Sequence, residues 1–395
     1  MEALEERPYA GLTVLDLSQG VSGPYCALIL GQRGADVIKV EPPAGDWVRL
    51  MGGGRDGMTA LAIASNPGKR SICVDAAQSG GREIILKLAE RADIVVENFR
   101  PGVTAKLGLD YAELSRDNPG LIYVSITAFG ESGPYAHKPG TDSVLQALTG
   151  MALVNKDPGG QPRRFGILVP DIATALYAAE CVGAALFGRS RAHSGRGRHI
   201  RVSLAECCAA FQAGAILDDL LHAGQQRPPF TVPSGVFATR DGHAVLGTLR
   251  EAMWKGMCRA LGREDWLTEP RYATGALRGE CAAEINREVA AILPGRTTAE
   301  WAALFEQHDV LFAPVLNYQG FRDDPQMRHM GYFGQTDQAP YGKLPLPHIP
   351  GTARSGALPA APHCGEHSRE ILAEFGYDAA QIAALEQAGL VIQAA

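Results

Sequence analysis

The segment Gly11–Glu41, GLTVLDLSQGVSGPYCALILGQRGADVIKVE, constrains the fold more than any other part of the chain. Thr13–Leu17 reads as a short apolar strand. Pro24 suits the first turn of the helix PYCALILGQ, Gly34 closes that helix, and Asp36–Glu41 is the next strand. Two strands joined by a helical crossover lie parallel, and a parallel sheet has helices on its faces. The fold class is therefore α/β. Further strands are expected at Ser71–Val74, Ile94–Glu97, Leu121–Thr127 and His199–Ser203, with helices at Gly80–Arg91, around Tyr111–Arg116, at Asp142–Leu148 and at Asp171–Arg189.

At 223–235 the sequence shifts to AGQQRPPFTVPSG, which reads as a linker between a large domain, 1–222, and a smaller one, 236–330. The smaller unit is expected to be α+β. Its strands lie around Val236–Thr239, His243–Leu246 and Val310–Val315, with a helix near Met253–Leu261 and a capping box (Thr297, Glu300) opening another. Residues 331–365, rich in Pro and Gly from 335 onward, are expected as a second, extended linker. A helix pair in 366–395 closes the chain and completes the large domain.

Composition excludes several classes. A length of 395 residues accommodates two domains. The net charge of −6 comes without a run of like charges, so no nucleic-acid or anionic-membrane surface is expected, and an anionic ligand must meet a local basic cluster. The N-terminal MEALEERPYAG lacks the apolar core of a signal peptide, and no apolar run is expected to span a bilayer. Eight scattered cysteines without CxxC, and ten histidines without HExxH, point to a reducing compartment and no metal site. The expectation is a cytoplasmic protein with no tightly bound cofactor.

Two features carry chemistry. The loop Ser18–Gly23 follows the first strand and opens a helix, where backbone N–H groups converge on an anion. Its glycines are spaced GxxG (Gly20, Gly23), and the dinucleotide GxGxxG is missing, so an NAD-dependent oxidoreductase is a poor alternative. Asp171 opens the Ala-rich helix PDIATALYAAECVGAALFGRSR. It is either a helix N-cap or a nucleophile kept ionised by the same N–H groups.

Five blocks decide between these readings: residues 11–49, NPGKRSICVD (66–75), ADIVVENFRPGV (92–103), YVSITAFGESGPY (123–135) and GRGRHIRVSL, which follows the Asp171 helix. In this order they closely resemble the class III CoA-transferases, a family that also contains the α-methylacyl-CoA racemases. The resemblance continues more loosely to APVLNY (313–318). It implies a Rossmann-like large domain with a small domain inserted between its two chain segments, and two subunits interlocked as a homodimer. It makes Asp171 the nucleophile and Asp142, in PGTDSVLQALTG, an acidic residue near it.

Gln19, Gly20, Val21 and Ser22 would form the loop against coenzyme A, with Asn98 and Phe99 lining the thioester and adenine side. Lys69 and Arg70, and further off Lys106, would meet the CoA phosphates. Arg100 and Pro101 would shape a turn. Val21 stands where oxalate-using members carry glutamine, which argues against oxalate. Thr141 stands where the racemase branch carries a histidine base, and threonine cannot abstract a proton α to a thioester. The small-domain stretch Pro233–Ser234–Gly235 replaces the run of glycines that shields the intermediates of formyl-CoA transferases, which marks Gly235. Arg49, Arg163 and Arg164 are candidates for a substrate's second carboxylate. The expected activity is transfer of CoA from succinyl-CoA to a C4–C5 dicarboxylate such as itaconate, mesaconate, malate or citramalate. Racemisation of an acyl-CoA is the alternative, and a CoA-binding protein without turnover a third reading.

Overall fold

The computed structural model describes residues 7–157, 159–192, 194–222, 229, 231–354 and 357–394. Most of the expected first linker, 223–228 and 230, lies outside the described residues. The chain divides into two compact units, Met1–Ile216 with Gly331–Ala395, and Leu217–Met330.

The first unit is built on a seven-stranded sheet. Its parallel strands are β1 (Thr13–Asp16), β2 (Asp36–Glu41), β3 (Arg70–Val74), β4 (Ile94–Glu97), β5 (Ile122–Thr127) and β6 (Arg198–Ser203). They stand in the order β3-β2-β1-β4-β5-β6, and the short strand Val391–Ile392 pairs antiparallel with the outer edge of β3. The chain winds outward from β1 through β2 to β3, then crosses back to β4 beside β1 and winds the other way. β1 and β4 thus form the switch point of a doubly wound sheet, where the connections after the two strands diverge and leave a crevice.

Both faces of the sheet are buried, which is why its strands are continuous apolar runs. Val14, Ile94, Val96, Val124 and Ile126 belong to one core, while the alternate Leu15, Val95 and Tyr123 belong to the other. The helix Val169–Arg191 packs on the first face, against β5, β6, the helix Ser22–Gln32 and the helix Leu204–Phe211. Its buried side is mostly alanine (Ala173, Ala175, Ala178, Ala179, Ala185), small enough for close helix approach. This 23-residue helix is long and apolar enough to cross a bilayer by length and composition alone, contrary to the expectation that no such run exists. Here its alanine face is spent on the sheet.

The stretch expected to be extended throughout carries an antiparallel hairpin, Phe333–Gln338 with Gly342–Pro347. Its alternating burial pattern in Phe333–Gln338 was obscured by the neighbouring prolines and glycines. The second unit has a three-stranded antiparallel sheet, Val236–Ala238, His243–Gly247 and Leu311–Pro314, beside helices including Glu251–Leu261, Ala282–Ile292 and Thr298–Gln307. Its core is aromatic, with Trp254, Trp266, Trp301 and Phe305 all buried. The capping box Thr297–Glu300 is present.

Candidate active site

Gln19 follows β1 and Asn98 follows β4, and the two clasp each other across the switch point. The Gln19 amide donates to Asn98 Oδ1 at 2.8 Å, and Asn98 Nδ2 donates to the Gln19 carbonyl at 2.6 Å. Asn98 was expected to line the ligand pocket. It lines a cavity with Asp171, and both ends of its amide are committed to the loop. Gly20, at φ +82°, is packed so closely by Trp47 that a Cβ there would lie 2.4 Å from the indole. Its N–H donates to Asp46 Oδ1 at 3.0 Å, and Asp46 Oδ2 pairs with the buried Lys39 ammonium at 2.9 Å. The Ser18–Gly20 segment is therefore held in place before any ligand arrives.

Beyond it, the helix Ser22–Gln32 begins at Val21 with no side-chain cap. Its first N–H groups have no intrahelical acceptor, and they border a cavity of about 430 Å³. This cavity gathers seven of the expected residues: Gln19, Val21, Ser22, Asn98, Phe99, Asp142 and Asp171. Trp47, Arg100, Thr127, Thr141 and Leu204 complete much of its wall. The sequence reading missed Trp47 and Thr127 and gave Arg100 only a turn. Their signal was position, since each lies at or just beyond the C-terminal end of a parallel strand or in the connection leaving it.

Asp171 is not the N-cap that its sequence position suggested. The helix starts at Val169 with Pro170 in its first turn, its N-cap position falls on Leu168, and Asp171 is its third residue. Among the described residues, nothing donates a hydrogen bond to the Asp171 carboxylate. Burial raises its pKa to about 7, and the nearby negative charge of Asp142 adds to the rise. The expectation of a carboxylate kept ionised by helix N–H groups is thus corrected. Asp142 takes that place instead: its Oδ2 accepts the Asp171 backbone N–H at 3.4 Å, and its Oδ1 accepts from Gln146 Nε2 at 2.7 Å. Burial also raises Asp142, with the Gln146 and Asp171 bonds and the Arg164 charge opposing.

Several expected basic residues are engaged elsewhere. Lys69 is buried, and its ammonium bonds Asp16 Oδ2 and the Pro24 carbonyl, both at 2.8 Å. Arg70 is ion-paired with Asp36, Glu370 and Glu374. Arg49 forms a two-point pair with Glu41, at 2.6 and 2.7 Å, and bonds the Pro362 carbonyl. Arg70 and Arg49 tie the sheet to the C-terminal segment, while Lys69 ties β1 to the helix Ser22–Gln32. None lines the cavity. Their sequence context gave no sign of the acidic partners, two of which (Glu370, Glu374) lie 300 or more residues away. Lys106 is exposed on the helix Val103–Leu107, whose Leu107 lines a narrow apolar slot. Arg163 is exposed and pairs with Asp157 at 3.3 Å, and Arg164 reaches the Ser143 hydroxyl. Gly235 belongs to the second unit, next to Ser234, whose backbone is clasped by Asn286 at 3.0 Å on both sides.

The frame is that of a doubly wound α/β protein with a cavity at the switch point of its parallel sheet, lined by two carboxyl groups. The pattern of CoA-transferase family III matches residues 9–368, and the chain belongs to that family of enzymes. It is 30% identical to succinyl-CoA:glutarate CoA-transferase of Mus musculus, over 98% of this chain and 91% of the relative. It is also 30% identical to succinyl-CoA–D-citramalate CoA-transferase of Chloroflexus aurantiacus, over 93% and 94% respectively. The crystal structure of a CAIB/BAIF family protein from Brucella suis superposes with a TM-score of 0.83 at 30% identity, covering 94% of this chain and all of that one. These relatives lie on the transferase side of the expectation, away from the racemase alternative.

Proposed function

We propose that this enzyme moves CoA from succinyl-CoA to a C4–C5 dicarboxylic acid through covalent intermediates on Asp171. The observation that carries the reading is the Asp171 carboxyl itself, without a hydrogen-bond donor among the described residues and lining one cavity with the uncapped start of the helix Ser22–Gln32. In its ionised form it attacks the thioester carbonyl, and a mixed anhydride and free CoA thiolate result. The thiolate attacks the aspartyl carbonyl, which releases succinate and leaves an aspartyl-CoA thioester. The acceptor carboxylate reverses the two steps. The oxyanion of each tetrahedral state is served by the first N–H groups of the helix Ser22–Gln32. Both the succinyl donor and the dicarboxylate acceptor follow from the names of the relatives.

CoA lies along the C-terminal edge of the sheet. The apolar slot lined by Leu17, Val40, Val74 and Leu107 shares Gln19 and Phe99 with the Asp171 cavity. It suits a flat heterocycle, and the adjacent Lys106 is free to meet phosphate. No metal or tightly bound cofactor enters this scheme, and the enzyme works in the cytoplasm. A second copy of the chain covers the apolar groove formed by Ile167, Val169, Ile172, Leu176, Tyr177 and Phe211, of about 570 Å³, so the enzyme is a homodimer. Its subunits interlock.

The test is trapping. Hydroxylamine or borohydride added during turnover labels Asp171 in the wild type, while Asp171→Asn folds and loses transfer by several orders of magnitude. Substantial transfer by that variant would sink the covalent mechanism.

A further inference from the structure

We infer that Arg100 is the specificity-determining residue for the second carboxylate of the acid, an assignment that rests on the dicarboxylate reading above. Among the described residues, Arg100 is the only cationic side chain lining the Asp171 cavity. Among the described residues its guanidinium has neither a hydrogen bond nor an ion pair, in contrast to Arg49 and Arg70, whose charges are spent on carboxylates of the fold. Two acids, Asp142 and Asp171, face the same space. With Asp171 ionised for attack, an incoming dianion meets a negative wall unless a cation offsets it; Arg164 already acts on Asp142 and bonds the Ser143 hydroxyl, which leaves Arg100 as the cation of the lining that has no partner among the described residues. A guanidinium also matches a carboxylate with two parallel N–H donors, a geometry that a monocarboxylic acid, reacting through its single carboxylate at Asp171, has no group to use.

Arg100 borders a second cavity as well, of about 280 Å³, and that cavity cannot seat the distal carboxylate instead. Glu97, Asp110 and Glu131 line it alongside Arg201. Glu97 accepts the Phe99 N–H at 2.9 Å, which fixes the turn from which Arg100 projects. The carboxylate site is therefore on the Asp171 side of Arg100.

The experiment compares glutarate with valerate, a monocarboxylate of equal chain length, as acceptors from succinyl-CoA in wild type, Arg100→Met and Arg100→Lys. The affinity of each variant for free CoA is measured by calorimetry alongside. Loss of a charge-assisted pair lowers kcat/KM for glutarate on the order of 10- to 100-fold in Arg100→Met. The kcat/KM for valerate, which reports only the acceptor half-reaction, and the Kd for CoA stay within about threefold, the KM for succinyl-CoA rises because its free carboxylate meets the same guanidinium, and Arg100→Lys recovers part of the glutarate activity. A preference for glutarate that survives Arg100→Met, or a loss matched on valerate or in CoA affinity, overturns the assignment while leaving the transferase reading intact. A wild type that transfers CoA to valerate and not to any dicarboxylate overturns both.

Discussion

Replacing Asp171 by asparagine is expected to stabilise the protein while abolishing its activity, and the gain should depend on pH. The carboxyl titrates near 7 in the folded chain, against an ordinary value of 3.8, because burial and the Asp142 charge disfavour its ionised form. Below about pH 4 the group is protonated in both folded and unfolded chains, and wild type and Asp171→Asn should be equally stable. Between about pH 4 and 7 the unfolded chain ionises while the folded chain resists, so the wild type loses stability relative to the variant. Above pH 7 both states are ionised and the gap stays constant.

At about 1.4 kcal/mol per pH unit, the largest possible gap is about 4 kcal/mol. Water entering the cavity screens part of it, leaving roughly 1–2 kcal/mol, or about 1–3 °C in Tm for a chain of this length. Thermal melts of both proteins at pH 4, 5.5, 7 and 8.5 read this directly. In the wild type, kcat/KM should rise with pH through an apparent pKa near 7, because the attacking group must be ionised. Asp142→Asn should move that limb to lower pH by removing the neighbouring charge. Parallel melting curves, with no divergence between pH 4 and 7, would refute the desolvation argument. They would mean that the carboxylate has donors in solution that compensate its burial.

Three further outcomes are expected. Lys69→Met should destabilise the protein by about 3 kcal/mol in urea titrations, because it leaves Asp16 buried beside a single, more distant ammonium, Lys39 at 4.0 Å. The exposed Lys106→Glu should leave stability unchanged and raise the KM for the acyl-CoA roughly 5- to 30-fold while sparing that for the acceptor. An acyl-CoA KM effect from Lys69→Met without loss of stability would restore it as a phosphate ligand. An interlocked homodimer should not dissociate without unfolding, so sedimentation velocity at nanomolar dilution should find no folded monomer. A concentration-dependent folded monomer would exclude interlocking.

The local pattern carried the sheet. Apolar runs such as Ile94–Glu97 and Asp36–Glu41 were legible because both faces of a parallel sheet are buried, and the boundaries of these two strands agree to the residue. Asp142–Leu148 was legible from its start, since Pro139 and Gly140 precede the helix and its N-cap falls on Thr141. The hairpin Phe333–Gln338 was not, because its partner strand holds two prolines and its pairing is decided across a turn and not within a run.

At the site, sequence order alone determined that Gln19 and Asn98 would each follow a strand. That they meet is a consequence of β4 returning beside β1, which no local signal encodes. The charges divide on the same line. The sequence reading gave Lys69 and Arg70 to phosphate, Arg49 to a substrate carboxylate and Arg100 to a turn, and the fold divided them differently, giving the first three a buried or distant carboxylate and leaving Arg100 without one among the described residues. The state of Asp171 was settled last and at longest range. Its identity is written in the chain, but its affinity for a proton depends on how much water the surrounding walls exclude and on how near Asp142 is brought, and both are properties of packing.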